Sequence, residues 1–245
     1  MAAVLEQVQN SRNDSAVNKA GAPRDTAAEL ARYGVLRRLA PALKHDMVVS
    51  LQSLMIKAEL LSTKLEKGMP PSAEMQKQLS ALHRLARDAV AGCLKVATWI
   101  EPAEDESIAL KDGVRECVDL VRSNFSFRGF AIENTVDDSF EVGRVLLRNL
   151  LVAALLALTD ARAEPCEVFI ACTLQDGSAV LAVRCGDACE AGETALLAGG
   201  FRQLDWDDVQ ALAASESIEL SRNADAIVMT LPRRVVTTPL KIAPL

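Results

Sequence analysis

Between Leu36 and Leu65 the chain reads LRRLAPALKHDMVVSLQSLMIKAELLSTKL, with apolar positions at Leu36, Leu39, Leu43, Met47, Leu51, Leu54, Ala58, Leu61 and Leu65. Steps of three and four residues match the helical repeat, so this stretch predicts one long helix with a single apolar seam. Gly68-Met69-Pro70-Pro71-Ser72 ends it, because proline lacks the amide donor and pushes the preceding residue out of the helical region. Ser72 then opens a second stripe, Met75, Leu79, Leu82, Ala86, Ala89, Cys93, Val96 and Ile100, a new helix start followed by another seam. Two long helices joined by a short proline-rich turn predict an antiparallel hairpin. A hairpin cannot bury two seams by itself, and pairing with a second copy into a dimeric four-helix bundle is the expected cover. The alternative is that the C-terminal half of the same chain lies over the seam.

Working outward, residues 1–27 are rich in Asn, Ser, Ala and charge without a sustained apolar period, which predicts a disordered tail ahead of a hairpin domain over 28–101. Glu101-Pro102-Ala103-Glu104-Asp105-Glu106 is acidic and contains proline, the composition of a hinge. Past it, over 106–236, the pattern becomes mixed, and 237–245 reads as a closing tail. Leu110–Val121 and the strongly apolar Val142–Ala161 predict helices, and Ala131–Val136 a short strand. Glu167–Leu174 and Ala179–Cys185 alternate around Gln175-Asp176-Gly177-Ser178, a hairpin signal. Val209–Ser215 predicts a helix, with strands at Ile218–Ser221 and Ala226–Leu231. The fold class is α+β: a long helical hairpin followed by an α/β sandwich.

Composition narrows the function. Half of the 245 residues are apolar while only 4% are aromatic, and the formal net charge is -6. A nucleic-acid partner needs a clustered basic face, and no Lys/Arg run supplies one. The longest apolar stretch, Val145 to Leu158, is interrupted by Arg148 and Asn149 and is too short to cross a bilayer. No basic segment followed by an apolar one opens the chain, so a cytoplasmic location is expected. Cys93, Cys117, Cys166, Cys172, Cys185 and Cys189 form no CxxC pair and read as small buried hydrophobes, with no metal site predicted.

Histidine chemistry can rest only on His45 or His83, the two histidines of the sequence. His45 stands between seam residues Leu43 and Met47, about 200° around the helix from each, so it faces away from the seam. Asp46 follows it and can hold one ring nitrogen or exchange a proton. Arg37, Arg38 and Lys44 precede it and can meet phosphate charge. An ordinary surface histidine is the plain alternative, and the same reading is given to His83. Trp99 and the acidic cluster Asp205–Asp208 are read as packing and as a solvated loop.

Leu43-Lys44-His45-Asp46-Met47-Val48-Val49-Ser50-Leu51, with Met55-Ile56-Lys57-Ala58-Glu59-Leu60-Leu61 behind it, resembles the phosphoacceptor box of two-component histidine kinases. Leu147-Arg148-Asn149-Leu150-Leu151-Val152-Ala153-Ala154 looks like that family's N-box helix, and Val183-Arg184-Cys185-Gly186-Asp187 stands where its Asp-x-Gly-x-Gly box would follow a strand. The closing Ser217-Ile218-Glu219-Leu220 and Ile227-Val228-Met229-Thr230-Leu231-Pro232-Arg233 are similar to the last hairpin of its ATPase domain. The resemblance runs from about Leu30 to Val235.

The resemblance also shows departures. The magnesium-holding Asn of the N-box is Ala153 here, with only the earlier Asn149 kept; the adenine-binding Asp is Cys185, and the following glycines are Asp187 and Cys189. Gly199-Gly200 is the nearest remnant of the glycine lid. These losses imply a degenerate ATPase-like domain and no nucleotide cofactor. The position of the family's phosphatase residue is Val49. What the resemblance then implies is a histidine phosphotransferase of the dimeric ChpT-like kind. His45 would be its nucleophile, with Asp46 beside it and Lys44, Val48, Val49 and Gln52 on the partner-binding face. Its partners would be a second copy and the receiver domain of a response regulator or of a hybrid kinase. A non-catalytic scaffold that uses the same hairpin, and an active kinase with an unusual pocket, are the competing readings.

Overall fold

The structure, a computed structural model, describes residues 23–68, 71–100, 106–188 and 201–234. The expected tails before 23 and after 234, hinge residues 101–105, Cys189 and Gly199-Gly200 lie outside the described residues.

Two long helices come first, α1 (Pro23–Glu66) and α2 (Ser72–Ile100), packed against one another. Helix α1 begins at Pro23, so 23–27, expected to be tail, is helical. Proline suits the first helical position, where its missing amide hydrogen would have had no partner. The helix runs on through Pro41, where proline removes one amide donor.

The α/β unit follows in the order β1 (Ser107–Ala109), α3 (Leu110–Phe127), β2 (Ala131–Asn134), β3 (Glu141–Gly143), α4 (Arg144–Asp160), β4 (Cys166–Gln175), β5 (Ser178–Ala188), α5 (Trp206–Ser215), β6 (Glu219–Arg222) and β7 (Ala226–Pro232). Five strands make one sheet in the order β2-β4-β5-β7-β6, with β2 parallel to β4 and the other neighbours antiparallel. The β4–β5 turn places Asp176 at φ 48° and Gly177 at φ 77° between paired Gln175 and Ser178. Positive φ at both central residues suits the right-handed twist of a two-residue hairpin. Strands β1 and β3 form a separate antiparallel pair that the sequence reading did not anticipate.

Along β4 the inward Cys166, Val168 and Ile170 are buried while intervening residues are less so, the alternation of a sheet covered on one face. The cover is α4, whose residues from Leu150 to Leu158 are all buried, together with α3 and α5. The acidic cluster read as a loop starts α5: Asp205 and Asp208 form a reciprocal capping box, and Asp208 also pairs with Arg202. Side-chain acceptors at a helix start satisfy amides that have no helical partner.

The α1 seam divides into two parts. Ala28, Ala31, Val35, Leu39 and Leu43 are buried, and from Ala31 onward they join the same core cluster as α3, α4 and α5. Over this half the C-terminal part of the chain covers the seam, as the alternative reading had it. Among the described residues, the cover beyond His45 is only α2. Leu61 is buried there, but Leu51 and Leu65 of the expected seam are exposed, as are Leu79 and Ile100 of the α2 stripe.

Candidate functional site

Helix α1 leaves the α/β unit just after Leu43, and His45 and Asp46 are among the first residues past that edge. Their side chains are 75% and 64% exposed, and His45 Nδ1 lies 3.6 Å from Asp46 Oδ1. That spacing is too long for a hydrogen bond and close enough for charge stabilisation. The contact engages Nδ1, which leaves Nε2 as the ring nitrogen open to an incoming group. Ser50 Oγ donates to the Asp46 carbonyl at 3.0 Å, one turn along.

A cleft of about 320 Å³ opens beside the pair between α1 and α2, lined by Leu43, His45, Asp46, Val49 and Ser50 of α1 and by Gly92 and Val96 of α2. A Cβ added at Gly92 would meet Ser50 Oγ at 3.7 Å, an ordinary van der Waals contact, so α1 and α2 leave room for an alanine at this position. Lys44, Val49 and Gln52 are exposed and Val48 is half-buried. At about 100° per residue, Gln52 falls nearly in line with His45 two turns on, and Val48 and Val49 one turn on. His83, by contrast, stands exposed on α2.

The basic residues upstream do not act as a set. Arg37 is exposed and stacks over the Phe201 ring at 5.9 Å. Arg38 is buried, with its Nη2 donating to Asp160 Oδ1 at 2.9 Å. The expectation that Arg38 meets phosphate is therefore corrected: its charge is already bound inside the protein. Lys44 remains the exposed cation adjacent to His45.

The positions of the α/β unit read from the sequence as degenerate do not all share one cavity. Ala153 is fully buried within α4. Cys185 is buried near the end of β5, where its amide donates to the Asp225 carbonyl at 2.8 Å. With Asp187 it borders an open cleft of about 860 Å³, together with Phe169, Arg184 and an Arg162–Asp225 ion pair. Asn149 faces a different cleft of about 720 Å³, walled by Tyr33 and Leu36 of α1 and by Trp99 and Ile100 of α2. One face of α4 thus looks toward the hairpin.

Sequence reasoning missed the contacts that set this arrangement. Trp99, expected to pack, does so under the Arg148 guanidinium, which also donates to the Thr98 carbonyl at 3.1 Å. The one visible signal was Arg148 itself, a charge interrupting an otherwise apolar run.

No protein-family model matches the sequence, and no curated protein matches it. Among solved structures, the chain is similar to the histidine kinase AdeS of Acinetobacter baumannii, at 12% identity over 78% of this chain and 98% of that one, with a TM-score of 0.40. It is similar to a bacterial phosphotransferase at 18% identity, covering 80% and 95% of the two chains, with a TM-score of 0.34. It is also similar to the histidine kinase ThkA, solved in complex with the response regulator TrrA, at 13% identity over 89% and 68%, with a TM-score of 0.40. Among the described residues, no helix is long and apolar enough to cross a membrane.

Proposed function

We propose that this chain is a dimeric histidine phosphotransferase of a two-component phosphorelay. It passes a phosphoryl group between His45 and the aspartate of a receiver domain, carried by a response regulator or a hybrid kinase, without binding ATP. The observation that carries the reading is His45 itself, 75% exposed on a long helix with Nδ1 facing Asp46 and Nε2 open.

In the forward step, Nε2 attacks phosphorus, the bond from phosphorus to the receiver carboxylate oxygen breaks, and that oxygen leaves with the bonding pair as a carboxylate. Nδ1 keeps its proton, so the phosphorylated ring carries positive charge, which the Asp46 carboxylate stabilises. Lys44 offers a cation to the phosphoryl oxygens during transfer. The reverse step returns the group to a second receiver. Val48, Val49 and Gln52 give the receiver a mixed apolar and polar contact on the same side of α1 as the histidine.

Loss of ATP binding follows from chemistry and cover. Ala153 and Cys185 offer neither a magnesium ligand nor a carboxylate for adenine, and both are buried. The neighbouring Asn149 faces a cleft whose far wall is α1. Dimerisation is supported by the apolar residues left open on the hairpin, among them Met55, Ile56, Leu60 and Val90, each more than half exposed in the single chain. Exposed apolar area on this scale marks an interface. Transfer of label from a phosphorylated receiver to wild type but not to His45→Ala tests the reading. Full function in His45→Ala would instead favour a non-catalytic scaffold.

A further inference from the structure

Where α1 crosses the α/β unit, three charged side chains are sealed from water: Arg38 at 2%, Asp160 at 1% and Arg128 at 8% exposure. Arg38 Nη2 and Arg128 Nη1 approach Asp160 Oδ1 at 2.9 and 3.0 Å, and the Leu204 amide donates to Oδ2 at 3.2 Å. Arg128 Nη2 is held in addition by the Thr159 carbonyl at 2.9 Å. The cluster joins α1, the end of α3, the end of α4 and the segment leading into α5.

Stability alone does not account for it. Two guanidinium groups share one carboxylate, and Arg38 Nη1 is buried without a hydrogen-bond partner. An apolar residue at 38 would avoid that desolvation cost, since buried ion pairs often add little to stability and serve better to specify one arrangement. The arrangement specified here is the register of α1. Arg38 and His45 are seven residues apart, hence nearly on one row of the helix and about 10 Å apart along its axis. On that row Ala31 and Arg38 are buried and His45 is exposed. His45 is therefore the first member of the row to emerge from the α/β unit. A slip of one helical turn, about 5.4 Å, would carry it under the unit or away from the edge.

We propose that Arg38 and Asp160 are positioning residues, fixing the register and tilt of α1 so that His45 meets a docked receiver in line. The kinetic part rests on the phosphotransfer reading; the structural part does not. Arg38→Met is the discriminating variant, because it leaves the neutral Arg128–Asp160 pair inside the α/β unit while cutting the tie to α1.

The test combines hydrogen exchange with transfer kinetics on the full chain. In Arg38→Met, amides of 30–43 are expected to exchange at least ten times faster while α4 and β5 keep wild-type protection. Transfer at saturating phosphorylated receiver is expected to fall at least tenfold with receiver affinity changed less than threefold, and Arg38→Lys to recover part of the rate. Wild-type exchange over 30–43, or a wild-type rate at saturation, would overturn the proposal. So would an equal loss of protection in α4 and β5, which would make Arg38 a general stabilising residue. If wild type itself accepts no phosphoryl group, the phosphotransfer reading fails, and the exchange measurement still decides the register role.

Discussion

The Arg148 guanidinium lies over the Trp99 ring at 4.6 Å and donates to the Thr98 carbonyl, so the last turn of α2 is fastened to the first half of α4. Glu116 of α3 completes the junction, pairing with both Arg148 and Arg144. Cation–π contact and a buried charge pair reinforce one another here. Together with the Arg38–Asp160 tie, this junction grips the hairpin at two places.

Removing Arg148 leaves Glu116 paired with Arg144 alone and takes away the Trp99 stacking and the bond to the Thr98 carbonyl. Arg148→Met is expected to lower the unfolding free energy by about 2 kcal/mol, read from denaturant melts followed by tryptophan fluorescence. A loss under about 0.5 kcal/mol would mean the junction is not formed in solution.

The hairpin beyond His45 should associate through its open apolar face. Ile56 and Leu60 are both 56% exposed and one turn apart. The double variant Ile56→Glu, Leu60→Glu is expected to be monomeric by light scattering where wild type has twice the chain mass, because apposed carboxylates at a bundle core are strongly disfavoured. A wild-type monomer at tens of micromolar would remove the dimer from the proposed function.

Nucleotide binding offers an independent check. Titrating wild type with ATP and magnesium in a calorimeter should give only heats of dilution, since neither Ala153 nor Cys185 can supply the missing ligands. Saturable heat would revive the reading of an active kinase.

The pH dependence of stability has a definite sign. Burial, followed by the nearby Glu116 charge, pushes the Cys117 thiol from 9.0 up to about 12. The folded chain therefore keeps a proton that the unfolded chain releases, and the thiol's contribution is fully present below pH 9 and lost as pH rises toward 12. Between these values the loss is about 1.4 kcal/mol per pH unit. Denaturant midpoints should fall more steeply above pH 9 in wild type than in Cys117→Ala, and equal slopes would exclude this cause.

Much of the fold was legible in the sequence because period and punctuation agree. The Asp176-Gly177 turn, the strands around it and the apolar α4 all follow from local pattern. The three-residue β1 and β3 strands are too short to carry a period. Burial of Arg38 was invisible for a different reason: its partner Asp160 is 122 residues away, and sequence alone places an arginine in solvent. At the site, His45 and Asp46 were readable as neighbours on a helix. The edge of the α/β unit that sets their surroundings was not, since it depends on how far the unit reaches along α1.

The most direct measurement follows a phosphoryl group onto the protein. Receiver domain carrying labelled aspartyl phosphate is mixed with wild type and with His45→Ala, and the label is tested for acid lability and alkali stability. Acid-labile, alkali-stable label on wild type and none on His45→Ala is expected, as a phosphohistidine requires. Absence of label from wild type, or equal label on His45→Ala, would refute the assignment of His45 as the phosphoryl carrier.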